Sequence, residues 1–139
     1  MMIQQTFTGP PETLPALTIH QPWASLIMAN SKRYENRSWT TRYRGPLVIH
    51  AAATRVTLDR EGDWLKIGLS QYALGAILGV VDLVDIHRAE DLREVAFVSG
   101  PLCWELQRPR LLSNPIPYRG QQGLYRVAVS AELRALIAT

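Results

Sequence analysis

The segment Lys32-Arg33-Tyr34-Glu35-Asn36-Arg37-Ser38-Trp39, running on to Arg42, Tyr43 and Arg44, concentrates five cations, three aromatics and a single acid. Cations neutralise phosphates and aromatic faces stack on bases, so this mixture suits a nucleic acid or nucleotide partner. Lys32 opens the segment just after a turn. A lysine there can anchor a phosphate, or serve as base or nucleophile if burial lowers its pKa; an exposed lysine is the plainer alternative. Glu35 is the odd residue out. It can form a structural salt bridge with a nearby arginine, act in general acid–base chemistry or accept hydrogen bonds from a base edge. Arg33 and Arg37 are expected on one strand face and Glu35 on the other, so that contact between them would need a twist or bulge. Trp39 shares a face with Arg37 and is the best stacking platform among the tryptophans. Trp23, Trp64, Trp104 and Tyr125 read as core.

Other candidates are weaker. His20 and His50 sit in apolar strands, where a hydrogen-bonded core role is the commoner fate. Pro117-Tyr118-Arg119-Gly120-Gln121-Gln122-Gly123 could bring backbone N–H groups to an anion, or could simply connect two elements. Three histidines and Cys103, at no ligand-like spacing, predict no metal site and no internal disulfide, and no cofactor is expected. No Ser-His-Asp pattern, G-x-G-x-x-G or P-loop is legible.

These residues must be positioned by short elements. Residues 1–13 contain Gly9-Pro10-Pro11 and read as a flexible N-terminal leader ahead of one domain over 14–139. Ala16–His20 reads as a strand. Pro22 suits the first turn of a helix whose Trp23, Leu26 and Ile27 form an apolar stripe, ended by Asn30-Ser31. Residues 32–50 predict two strands, the second with Leu47, Ile49 and Ala51 on one face and Val48 and His50 on the other. A helix is predicted over 58–70, a strand from Gly75 to Ile86, and one or two helical turns over 90–97. Gly79 signals a bulge or a close backbone approach. Leu102–Gln107 and Leu124–Val129 read as strands, 108–123 mostly as loop, and Ser130 as the cap of a last helix carrying Leu133, Leu136 and Ile137. About six short strands with few helices predict an α+β fold, a small mixed β-barrel with helices at its ends.

At 139 residues and 47% hydrophobic content, the chain can bury one core. No run is long and apolar enough to cross a bilayer, and the N-terminus lacks a signal-peptide pattern, so no membrane partner and a cytoplasmic location are expected. The net charge of +3 is unevenly spread: residues 32–44 and 106–126 each carry +4, leaving −5 for the rest. Two basic blocks on an acidic body predict a one-sided footprint for a polyanion.

Three further strings add a resemblance. Leu17 to Ile27 reads L-T-I-H-Q-P-W-A-S-L-I, residues 32–39 read K-R-Y-E-N-R-S-W, and 44–51 read R-G-P-L-V-I-H-A. With C-W-E-L (103–106), P-I-P-Y-R-G (115–120) and G-L-Y-R-V (123–127), they resemble the ASCH domain over roughly residues 14–129. The resemblance implies a PUA-like fold, a cleft beside the first helix, and RNA or DNA as partner. It places His20, Gln21, Pro22, Trp23, Lys32, Glu35, Arg37 and Trp39 in that cleft, with Arg44, Arg119 and Gln122 on its rim. It also brings an enzymatic alternative. One branch of the family resembles amidohydrolases acting on acetylated cytidine through a Lys-x-x-Thr pair and a separate Glu; Lys32 matches the lysine, Glu35 takes the threonine position, and Glu105 is a candidate for the second carboxylate. Another branch resembles metal-aided ribonucleases, with Lys and Tyr in the site, here Lys32 and Tyr34. The leading expectation is a nucleic-acid-binding domain, RNA slightly ahead of DNA, with Arg33, Arg37, Arg42, Arg44 and Arg119 on phosphates. The alternatives are a small hydrolase using Lys32 and a carboxylate, and a module that pairs its sheet edge with a protein partner.

Overall fold

The computed structural model describes residues 12–55, 72–95 and 98–139. Six strands and two short helices run in the order β1 (Thr13–Gln21), α1 (Trp23–Met28), β2 (Tyr34–Arg37), β3 (Gly45–Arg55), β4 (Ala76–Arg88), β5 (Leu102–Pro117), β6 (Tyr125–Ala128) and α2 (Ala131–Ile137), with a 3-10 turn over Ala89–Asp91 before β5. One mixed sheet results, in the spatial order β2-β5-β4-β3-β1-β6. β1 and β3 are parallel and every other pairing is antiparallel.

Both faces of the central strands are covered, which is why β3 and β4 read as nearly unbroken apolar runs. Leu17, Ile19, Leu47, Ile49, Val81 and Trp104 face α1 in one cluster. Leu14, Ala16, Val48, Val80 and Val127 face Leu133 of α2 in the other. The alternation of Leu47, Ile49 and Ala51 against Val48 thus sorts β3 between two cores, as its two-residue period requires. Ser130 caps α2, its hydroxyl accepting from the Leu133 amide at 3.2 Å.

The architecture is α+β and mixed, as expected, and compatible with a PUA-like fold. The sheet is not closed into a barrel: β2 and β6 are its two edges and do not pair with each other. β2 and β3, neighbours in sequence, are also apart in space, because β2 pairs with β5. β1 starts at Thr13, so that residue belongs to the sheet, and the Glu12 carbonyl before it accepts from the Val129 amide at 3.0 Å; residues 1–11 of the expected leader, the predicted helix over 58–70, Trp64 and the end of the 90–97 segment lie outside the described residues.

The largest correction concerns residues 108–117, expected as loop and found as the second half of β5. The cause is three prolines, Pro109, Pro115 and Pro117, that the strand accommodates. β5 pairs with β4 along its length, but β2 reaches only Leu102 to Glu105. Beyond that point one edge of β5 is open, and a proline without an N–H costs no ladder bond there. Register shifts opposite Ile77/Gly79 and Val80/Asp82 absorb the irregular backbone. Arg108 sits in one of them at φ 53°, the left-handed conformation that bulges use.

Candidate functional site

α1 and the turn after it aim the chemistry inward. Gln21 is fully buried and ties down the helix start: its Oε1 accepts from the Ser25 amide at 3.0 Å, and its Nε2 donates to Ser25 Oγ at 2.7 Å and to the Ala73 carbonyl at 2.9 Å. Asn30, at φ 63°, ends the helix in the left-handed conformation that asparagine tolerates. The amides of Ser31 and Lys32 both donate to the Leu26 carbonyl, at 2.9 and 3.1 Å. This tight reversal turns the Lys32 side chain under the helix.

A recess of about 420 Å³ lies between α1, the end of β1 and β2, lined by His20, Trp23, Lys32, Glu35, Asn36, Arg37, Val98 and Ser99. Its polar floor is an ion triad. Lys32 Nζ donates to Glu35 Oε1 at 3.0 Å, and Arg37 forms an ion pair with Glu35 Oε2 at 3.0 Å. Lys32 Nζ also donates to the Tyr34 carbonyl, and Arg37 to the Thr18 carbonyl at 2.9 Å. Side-chain exposure rises from 3% at Lys32 through 8% at Glu35 to 23% at Arg37, so the triad climbs from floor to mouth. Glu35 was expected to face away from Arg37. Positions 35 and 37 differ by one strand period, so they share a face and meet with no twist or bulge.

Asn36, Val98 and Ser99 were not anticipated. Asn36 Oδ1 accepts from the amides of Ser99 and Gly100, at 2.9 and 3.1 Å, and from Cys103 Sγ at 3.6 Å. One side-chain amide thereby holds the 98–100 segment as the outer wall. Nothing in the local sequence says that Asn36 brackets the segment leading into Gly100-Pro101. Burial pushes the Cys103 thiol above its ordinary pKa, against the lowering effect of the Gly100 backbone and Lys32.

The remaining candidates scatter. Trp39 stands half-buried with its ring edge-on to Trp104 at 4.8 Å, and its carbonyl accepts from the Trp104 indole at 3.2 Å. Trp23 rather than Trp39 therefore lines the recess. Glu105 pairs across the sheet with Tyr34, one position away from Glu35, and lies outside the recess. Its Oε1 contacts His87 Nε2 at 2.7 Å, and it also accepts from Gln107. Arg44 donates to the Thr41 and Tyr43 carbonyls and stands 3.8 Å from Asp85. The second basic block is partly neutralised, since Arg108 and Arg110 both pair with Asp82, at 3.2 and 2.6 Å. Arg33, Arg42 and Arg119 are exposed, and their side chains form no hydrogen bond or ion pair with a described residue; Gln122 is exposed too.

Thr18 links the recess to the loop of Arg119 and Gln122. While its carbonyl holds Arg37, its hydroxyl meets His50 Nδ1 at 3.1 Å and Tyr125 Oη at 2.8 Å. His50 Nε2 then reaches the Tyr118 carbonyl at 2.6 Å. A carbonyl can only accept, so Nε2 carries the proton, Nδ1 accepts from Thr18, and Thr18 accepts from Tyr125. Burial raises the Tyr125 pKa, and its bond to Thr18 partly offsets this. His50 is thus a core brace, whereas His20 is exposed at the recess.

The model of the ASCH domain matches residues 17–129, which spans both walls of the recess and the sheet that carries them. The chain belongs to the ASCH domain family. This ASCH domain is similar to activating signal cointegrator 1 of Homo sapiens, 36% identical over an alignment of 126 residues, with 80% of this chain and 22% of the relative covered. It is 36% identical over 88 residues to the protein of the same name from Mus musculus, covering 56% of this chain and 15% of that one. The chain therefore spans less than a quarter of the length of the curated relatives it matches. No helix of the described ASCH domain is long and apolar enough to cross a membrane.

Proposed function

We propose that this ASCH domain binds nucleic acid, RNA ahead of DNA, by receiving one unstacked base in the recess between α1 and β2. One observation carries the reading: Lys32, Glu35 and Arg37 converge with Trp23 on a single concavity of about 420 Å³. That volume lies in the range of small-ligand sites, and a few convergent polar groups beside an aromatic wall are what a flat heterocycle needs. Single-stranded RNA supplies such bases readily, because loops and ends splay them out. Exposed Arg33, Arg42 and Arg119 supply phosphate contacts around the body of the domain. Family membership supports the same partner class.

Fluorescence anisotropy with short single-stranded RNA across a salt series tests this. Affinity should fall as salt rises. The triple variant Arg33→Ala, Arg42→Ala, Arg119→Ala should bind more weakly, with a log–log salt slope shallower by about 2, since each lost contact to a single strand removes about 0.7. Trp23→Ala should weaken binding roughly tenfold while leaving that slope unchanged, as expected for lost stacking. A flat salt response, or full affinity in Trp23→Ala, defeats the reading.

A second reading is favoured by the burial of a lysine ammonium against a carboxylate inside the same recess. In it, the domain is a hydrolase for acetylated cytidine: Lys32 activates water or attacks, Glu35 shuttles protons, and Arg37 steadies the developing oxyanion. Glu105 has no part, since its partners are His87 and Gln107. Incubating the protein with acetylated cytidine and following cytidine release decides it. Turnover that vanishes in Lys32→Ala would establish catalysis, and unconsumed substrate after prolonged incubation would remove it.

A further inference from the structure

We infer that the recess selects an imide edge, the O=C–NH–C=O of uracil or thymine, over the other bases. The inference rests on the base-in-recess reading above and names the base. Its ground is the order of hydrogen-bonding groups along the triad. Glu35 is central, with Lys32 at one carboxylate oxygen and Arg37 at the other, both at 3.0 Å. Read from floor to mouth, the recess therefore presents donor, acceptor, donor.

Each group of the triad keeps hydrogen-bonding capacity beyond its partners in the fold. An ammonium carries three N–H groups. Lys32 commits one to Glu35 Oε1 and one to the Tyr34 carbonyl, so one remains. Arg37 donates to the Thr18 and Asn36 carbonyls and keeps further guanidinium N–H groups to spare. The Glu35 carboxylate offers about four lone-pair positions, and its two cations leave room for one more donor. Asn36 adds no rival acceptor, because Oδ1 already takes the Ser99 and Gly100 amides.

Only one base edge complements that order. Uracil and thymine present acceptor, donor, acceptor at O4, N3–H and O2. Cytosine presents donor, acceptor, acceptor, and would set its N3 lone pair against the Glu35 carboxylate. Guanine places two adjacent donors where one donor and one cation-facing acceptor are required. Adenine offers a donor and an acceptor in the wrong order and has no third group. The penalty for each mismatch is a buried polar group left unpaired, which binding sites discriminate strongly.

Anisotropy at one fixed, moderate salt concentration, with oligouridylate, oligothymidylate, oligocytidylate and oligoadenylate of equal length, reads the preference directly. Oligouridylate and oligothymidylate should each bind about ten- to hundredfold more tightly than oligocytidylate, the discrimination expected of one well-formed set of base contacts. The ratio between the first two then separates an RNA from a DNA ligand. Oligouridylate methylated at N3 loses the central donor without any change to the protein, and should fall to the oligocytidylate level. Glu35→Gln should relax the preference, since its amide can donate to cytosine N3; the ligand series stands even if that variant folds poorly. Equal affinity for uridylate and cytidylate, a preference for cytidylate, or indifference to N3 methylation overturns the inference. Equal affinity combined with a tenfold loss in Trp23→Ala would strike this specificity alone, whereas no effect of Trp23→Ala would strike the base-in-recess reading beneath it.

Discussion

Glu35→Ala should lower the folding stability of the domain by about 3–5 kcal/mol, the usual cost of removing one partner from a buried ion pair. Arg37 can adapt, since its side chain is 23% exposed and a rotation brings the guanidinium to water. Lys32 cannot. It is only 4% exposed, the α1 turn fixes its backbone, and without Glu35 its ammonium keeps the Tyr34 carbonyl and no counter-charge. Urea denaturation measures the loss. The double variant Lys32→Met, Glu35→Leu should recover most of it, because a buried pair replaced by apolar residues of similar volume is often neutral or better. The same double variant should show no recovery of RNA affinity, which separates the two roles of the triad. A loss below about 1 kcal/mol in Glu35→Ala would mean that the pair behaves as a solvated surface contact.

Gly79→Ala should be similarly damaging, at about 3 kcal/mol, the upper end of what overpacking costs. Gly79 lies within β4, with β3 on one side and β5 on the other. A Cβ there would overlap the Arg110 carbonyl oxygen and approach Met28 Cε to 2.8 Å. Met28 is the flexible end of a side chain and could give way. The Arg110 carbonyl belongs to the backbone of a paired strand and cannot move without disturbing the β4–β5 ladder. Met28 is also the last residue of α1, so a shift there reaches the helix that forms one wall of the recess. The midpoint of urea unfolding should fall accordingly; an unchanged midpoint would show that β5 can yield at its bulge.

Local chemistry was legible in the sequence wherever it had a local cause. Asn30 as a helix stop, Ser130 as a cap, the alternation along β3 and the close approach at Gly79 follow from residue types and spacing alone, and each is found. The charged segment pointed to Lys32, Glu35 and Arg37, which do meet. Long-range placement was not legible. Trp23 rather than Trp39 lines the recess because Trp39 is held against Trp104, a partner from the far half of the chain. Glu105 turns to His87, and Asn36 brackets a segment more than sixty positions away. The prolines of β5 hid a strand because one sequence cannot reveal that its neighbour β2 stops after four residues.

That short partner of β5 has a consequence for how the domain is born. β2 touches the rest of the sheet only through Leu102, Cys103, Trp104 and Glu105, so every cationic residue of the recess leaves the ribosome well before the strand that gives it a backbone to lean on. During that interval the Lys32–Arg44 segment is an unshielded polycation on an incomplete body. Only Glu12 and Glu35 of the chain's twelve acidic residues precede Arg44, so most of the countercharge to that segment is synthesised after it.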